Sequence, residues 1–162
     1  MEKLFKSTRG NQTPIDFYTS ILQGIASDGG LLVPDFDFEK KNLEELLSLN
    51  YVDLATEIIS TFAPSDAKEA LHTACTQAYG EGLFCDEVVP VKKAGNVYVA
   101  ELYQGPTAAF KDMALSMLPR MMTLSLKKKG EEREVMILAA TSGDTGKAAL
   151  EGFKDVEGTC IK

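Results

Sequence analysis

The stretch that constrains this chain most is Val135-Met136-Ile137-Leu138-Ala139-Ala140, an unbroken apolar run. A run of that length bounded by polar residues fits a central strand covered on both faces. Directly behind it lies the glycine-containing turn Thr141-Ser142-Gly143-Asp144-Thr145-Gly146, and then a helical pattern to about Phe153. Gly158 and Thr159-Cys160-Ile161 read as the start of a second strand. Strand, turn, helix and strand in this order predict an α/β fold with a parallel sheet in the second half. The last strand is barely begun, so the expectation is an architecture cut off partway.

The first half reads differently. Leu4–Thr8 is a short strand ended by Arg9-Gly10-Asn11, and Thr13-Pro14 resembles an N-cap with proline at the first helical position. Ile15, Tyr18, Ile21 and Leu22 then recur at helical spacing, giving a helix over 14–23 with Gly24 as its stop. Asp28-Gly29-Gly30 is a turn before Leu31-Leu32-Val33-Pro34. Asn42 caps a helix to Ser48, Tyr51–Phe62 is another, and Ser65 opens a third to about Tyr79. Val88–Val91 and Asn96–Ala100 flank Gly95-Asn96 as a hairpin. A long helix is predicted over 108–129, bent by Pro119, with Lys127-Lys128-Lys129 as a solvated basic end and Gly130 as its stop. The division that follows is a mostly helical part, 1–86, and the first part of an α/β region, 87–162.

Composition excludes several functions. The 17 cationic and 24 acidic side chains leave a net charge of −7, and the only arginines are Arg9, Arg120 and Arg133. Such a chain has no basic stripe for nucleic acid or an anionic membrane. No uncharged stretch has the roughly 20 apolar residues that span a bilayer, and residues 1–15 lack the apolar region of a signal peptide. Cys75, Cys85 and Cys160 are odd in number and form no CxxC, which favours a reducing cytoplasm over a disulfide framework. A single histidine, His72, cannot build a His/Cys zinc cage; no metal is expected.

Two places remain for chemistry. The turn 141–146 opens a helix at the carboxyl end of a strand, where free N–H groups and the positive helix end attract anions. Spacing alone leaves open a simple helix cap with no ligand. A P-loop fails twice, with Thr141 in place of its first glycine and Ala148 in place of Ser/Thr, and GxGxxG lacks its third glycine. The second place is Lys111, just behind the Gly105-Pro106 loop and in the predicted first turn of an apolar-faced helix. A helix N-terminus disfavours a cation and burial adds a desolvation penalty; both favour the neutral amine that Schiff-base chemistry needs. Asp112 beside it acts in the opposite sense, and most helix lysines are simply solvated.

These residues resemble a known family. Glu101-Leu102-Tyr103-Gln104-Gly105-Pro106-Thr107-Ala108-Ala109-Phe110-Lys111-Asp112 is similar to the pyridoxal-phosphate lysine segment of threonine synthases, and 141–146 to their Ser-Gly-Asp-Thr-Gly loop. Ser7-Thr8-Arg9-Gly10 and Gly24–Pro34 resemble the family's N-terminal signatures. The resemblance implies a fold-type-II enzyme converting O-phospho-L-homoserine and water to L-threonine and phosphate. By it, Lys111 is catalytic and carries pyridoxal 5'-phosphate as a Schiff base. Phe110, Asp112, Ser142, Gly143, Asp144, Thr145 and Gly146 belong to the cofactor site, and Gln104, Thr107, Ser142 and Thr145 to the substrate site. Gln104 stands where the family commonly has histidine. The family's later glycine-rich phosphate loop has no counterpart in these 162 residues, so the expectation is an N-terminal portion, inactive alone and prone to self-associate through unpaired edges. The alternatives are a sister pyridoxal-phosphate lyase, threonine dehydratase-like or acting on a phospho-amino acid, and a non-catalytic folding or oligomerisation module.

Overall fold

The computed structural model describes residues 3–80, 82–85, 87–141 and 143–162. It divides into two compact units: residues 1–73 with 124–132, and residues 74–123 with 133–162.

In the first unit, β1 (Leu4–Ser7) is the middle strand of an antiparallel sheet, with β2 (Ile15–Asp16) on one side and β3 (Leu32–Pro34) on the other. Phe5 faces Ile15 across one ladder and Pro34 across the other. Helix α1 is Phe17–Gln23, not 14–23: Ile15 and Asp16 are taken into the sheet, and Asp16 is the cap. Its carboxylate accepts from the backbone of Tyr18 and Thr19, which a Thr13 cap would have left unmet. Gly24 ends α1 at φ 70°, as expected of a glycine stop. Then follow α2 (Leu43–Leu47), capped by Asn42, and α3 (Tyr51–Ser60), capped by Asn50. A 3₁₀ turn, Ser65–Ala67, leads into α4 (Lys68–Tyr79).

A run of ring contacts holds this unit together. Phe17 meets Phe5, Phe5 meets Phe36, Phe36 meets Phe38 and Phe38 meets Phe62, with centroids 5.2–6.2 Å apart. Such pairs add about 0.5–1.5 kcal/mol each to the area they bury. Lys3 donates to the carbonyls of Ser60 and Thr61, supplying a cation at the C-terminal end of α3. The lysines of 127–129 are not merely solvated: Lys128 pairs with Asp66 and Lys129 with Asp16.

The N-terminal signature segments meet at Asp28. Its carboxylate accepts from Ser7 Oγ at 2.6 Å, from Gly30 N at 2.9 Å and from Asn11 N at 2.9 Å. Hydrogen bonding from Ser7, then from Gly30, holds the Asp28 carboxyl below the usual range. A Cβ on Gly30 would run into Ser7 Oγ, so the Asp-Gly-Gly turn closes only with glycine there.

The second unit carries the hairpin β4 (Val91–Ala94) and β5 (Val97–Ala100), turned at Gly95 with φ 61°. The hairpin begins three residues later than the Val88 expected, and both strands are exposed. The single bent helix over 108–129 is also corrected. Residues 108–111 are not helical; α5 is Asp112–Leu115 and α6 is Leu118–Lys129. Pro119 lies in the first turn of α6, where its missing N–H is tolerated, and the chain breaks before it instead of bending. Lys111 therefore precedes a helix and does not lie within its first turn.

The predicted parallel pair is present: β6 (Val135–Ile137) runs alongside β7 (Thr159–Ile161), joined by α7 (Asp144–Phe153). Coverage of β6 on both faces is not observed; Met136 is 52% exposed and Leu138 78%. The buried face of α7 is Ala148, Ala149, Gly152 and Phe153, a periodicity of three to four residues as an amphipathic helix requires. No helix among the described residues is long and apolar enough to cross a membrane.

Candidate functional site

The loop in front of α5 is built around one buried carboxylate. Asp112, 2% exposed, accepts the backbone N–H of Thr107 at Oδ2 (2.8 Å) and the Thr107 hydroxyl at Oδ1 (2.6 Å). Both oxygens thus face back into their own loop, a charge-assisted clasp that compensates the burial of the carboxylate. Gly105 fits beneath it: a Cβ there would come within 2.6 Å of Asp112 Cβ and 2.9 Å of Phe84. Ala108 takes φ 56°, uncommon for a residue with a side chain, so the loop doubles back before the helix starts.

Lys111 occupies the residue before α5 and is half-buried. Its Nζ lies 5.0 Å from the centroid of the Phe110 ring, which is itself 60% exposed. The aromatic face accompanies the amine without enclosing it. Tyr79 donates its hydroxyl to the Met113 carbonyl at 2.7 Å, tethering the turn that follows.

The start of α7 is the other half. Gly143 is its N-cap and brings no capping side chain. The Thr141 hydroxyl accepts from Gly146 N at 2.9 Å and from Gly143 N at 3.3 Å, so Thr141 organises the turn. Asp144 and Thr145 are exposed, and around Gly143 a Cβ would meet nothing within 4 Å. Ser142 lies outside the described residues. An open helix start of this kind suits an anionic group. Lys147, in the first turn of α7, donates to the Thr107 carbonyl at 3.2 Å. Further along, Arg120 donates to the Gly152 carbonyl at 2.8 Å, and burial holds its guanidinium below the usual arginine range.

Gln104 stands apart from this pair. Its Nε2 donates to Glu101 Oε2 at 2.9 Å, and Glu101, 8% exposed, also accepts from Lys92 at 2.9 Å. The Glu101 carboxyl is held down by the hydrogen bond from Lys92, then by that from Tyr103. The structure thus joins Thr107, Asp112 and Lys147 directly, with Lys111 and Gly143–Gly146 as their chain neighbours, and places Gln104 in a separate network. Three contributors were missed as such: Lys147, Thr141 and Glu101. Thr141 carries a local signal, a hydroxyl ahead of a helix start, and Glu101 has Gln104 three residues on; Lys147 bonds 40 positions away.

Fold and site define a class: an α/β unit whose strand–turn–helix presents an open helix start braced to a lysine-bearing loop. Residues 4–79 match the family described as threonine synthase N terminus. The chain is 43% identical over 158 residues to threonine synthase of Pseudomonas aeruginosa, covering 91% of this chain and 32% of that protein. It is 38% identical over 143 residues to human threonine synthase-like 1, covering 85% of this chain and 19% of that protein. Among solved structures, the pyridoxal-phosphate-bound threonine synthase of Brucella melitensis superposes with a TM-score of 0.87 at 34% identity, covering 98% of this chain and 34% of that one. Yeast threonine synthase gives 0.84 at 29% identity, with 99% and 35% covered. The chain is similar to the N-terminal portion of threonine synthases. It spans about a third of the length of the threonine synthases it resembles.

Proposed function

We propose that the polypeptide bearing this sequence is a threonine synthase, a pyridoxal-phosphate-dependent lyase that converts O-phospho-L-homoserine and water to L-threonine and phosphate in the cytoplasm. The observation that carries the reading is the half-buried Lys111 at a loop–helix junction, in a loop whose Thr107 is clasped by Asp112 and bonded by Lys147 from an open helix start. The residues fit the group: one primary amine flanked by an aromatic ring, and clear space beside Gly143 where an anion can approach backbone N–H groups. Lys111, Phe110 and the Gly143–Gly146 turn would hold the cofactor, with Ser142 and Thr145 toward cofactor and substrate and Asp112 fixing the lysine. When bound, pyridoxal phosphate supplies an electron sink for a carbanion next to the amino group.

The protein's own contributions follow from the site. Lys111 Nζ would hold the cofactor and would take and return protons at the substrate carbons. The α7 start orients anionic oxygens through backbone dipoles. Residues 87–162 carry this chemistry and residues 1–86 the scaffold. The three free cysteines accord with a reducing compartment.

The test uses the full natural polypeptide. Phosphate release from O-phospho-L-homoserine and borohydride trapping of pyridoxal phosphate at Lys111 are both expected, and Lys111→Ala is expected to cut turnover by about 10³-fold or more. Trapped cofactor without phosphate release from this substrate would reject the reading. The second reading is a sister lyase, threonine dehydratase-like or acting on a phospho-amino acid; a substrate panel scored for ammonia and phosphate separates the two. The 162-residue chain alone is expected to show no turnover, and any measurable turnover by it would overturn that expectation.

A further inference from the structure

We infer that Lys147 is a positioning residue that fixes the start of α7 against the loop bearing Lys111, and this rests on the cofactor reading above. Its Nζ donates to the Thr107 carbonyl at 3.2 Å across 40 residues of sequence. Thr107 cannot swing freely, because its N–H and its hydroxyl are both bound to Asp112, and the N–H of the peptide that carries its carbonyl, that of Ala108, is bound to the Gly105 carbonyl. Asp112 is 2% exposed and adjoins Lys111 in the chain. One ammonium therefore connects two segments that must keep a fixed separation: the turn 143–146, where an anion approaches, and the amine that does the chemistry.

The sequence disguises this role. Gly146-Lys147 reads as half of a P-loop, and in that motif the lysine would reach a phosphate. Here the side chain is committed to a backbone carbonyl of its own protein. The chain of bonds runs from Lys147 to Thr107 to Asp112 and touches no reacting atom. Removing it loosens the anion-binding turn and leaves the amine chemistry of Lys111 intact, so binding suffers more than turnover.

The test compares the full natural polypeptide, loaded with pyridoxal phosphate, with its Lys147→Met and Lys147→Arg variants. Expected for Lys147→Met is a KM for O-phospho-L-homoserine raised about 5–10-fold with kcat within about 2-fold. Inorganic phosphate should also become a weaker competitor, while borohydride still traps cofactor at Lys111. Lys147→Arg keeps a charged donor and is expected to restore KM to within about 2-fold. Unchanged KM and phosphate competition in Lys147→Met, or a fall confined to kcat, would overturn the inference. Lack of rescue by arginine in a variant with undiminished thermal stability would also overturn it. Absence of trapping in the unsubstituted protein would instead sink the cofactor reading, and the inference with it.

Discussion

Asp112 turns both carboxylate oxygens to Thr107 and is only 2% exposed. Removing it strands a buried backbone N–H and a hydroxyl, each costing about 1–3 kcal/mol. Asp112→Ala is therefore expected to destabilise the protein by about 2–4 kcal/mol, read as a fall in Tm of about 5–12 °C in calorimetry. An unchanged Tm would show that the loop finds other partners. In the sequence, Asp112 was visible only as the neighbour of Lys111, and its charge suggested a contest with the amine. The structure turns its carboxylate the other way, into a loop whose doubling-back at Ala108 no spacing pattern reveals.

At the scale of elements, apolar periodicity found the helices but not their breaks. The apolar face from Phe110 to Leu124 is continuous in the sequence, yet Pro119 has no N–H to give the Leu115 carbonyl, and the helix separates there. Gly152 of α7 packs against that same carbonyl, where a Cβ would collide. Gly152→Ala is expected to cost about 1–3 kcal/mol, measured by urea unfolding, because the clash is with backbone that cannot turn aside. At the other end of the chain, Asp16 both caps α1 and pairs with Lys129 at 2.7 Å. Burial pushes its carboxyl up, but the hydrogen bonds from Lys129 and Thr19 outweigh it and bring the value from 3.8 to about 2. The folded form therefore binds this proton less readily than the unfolded chain. The stabilisation is complete above pH 3.8, and is lost as pH falls through about 2. Its size is on the order of 1–2 kcal/mol after allowing for solvent screening. Unfolding series between pH 5 and 2 on the protein and Asp16→Asn should converge toward the acid end; parallel curves would refute the assignment.

At the scale of the whole molecule, exposed apolar side chains are spread over many elements, the hairpin and the β6 segment among them. Val91, Val97 and Tyr98 of the hairpin are 60–72% exposed, and Met136 and Leu138 of the β6 segment 52% and 78%. A two-stranded ribbon bare on both faces is marginal by itself, and patches of this kind promote association. Light scattering on the 162-residue chain is expected to show self-association that rises with concentration; a monodisperse monomer would contradict this.

The sequence by itself determined the strand–turn–helix–strand unit, the caps at Asn42 and Gly24, and the two segments on which the proposed site rests. Each of these is encoded in residues a few positions apart, where period and turn chemistry act directly. Only the tertiary structure decided that Asp16 pairs in a sheet before it caps a helix, that the long helix is two, and that Lys147 reaches Thr107. Those outcomes depend on donors and acceptors brought together from distant positions, and local propensity carries no information about which carbonyl a distant lysine will meet.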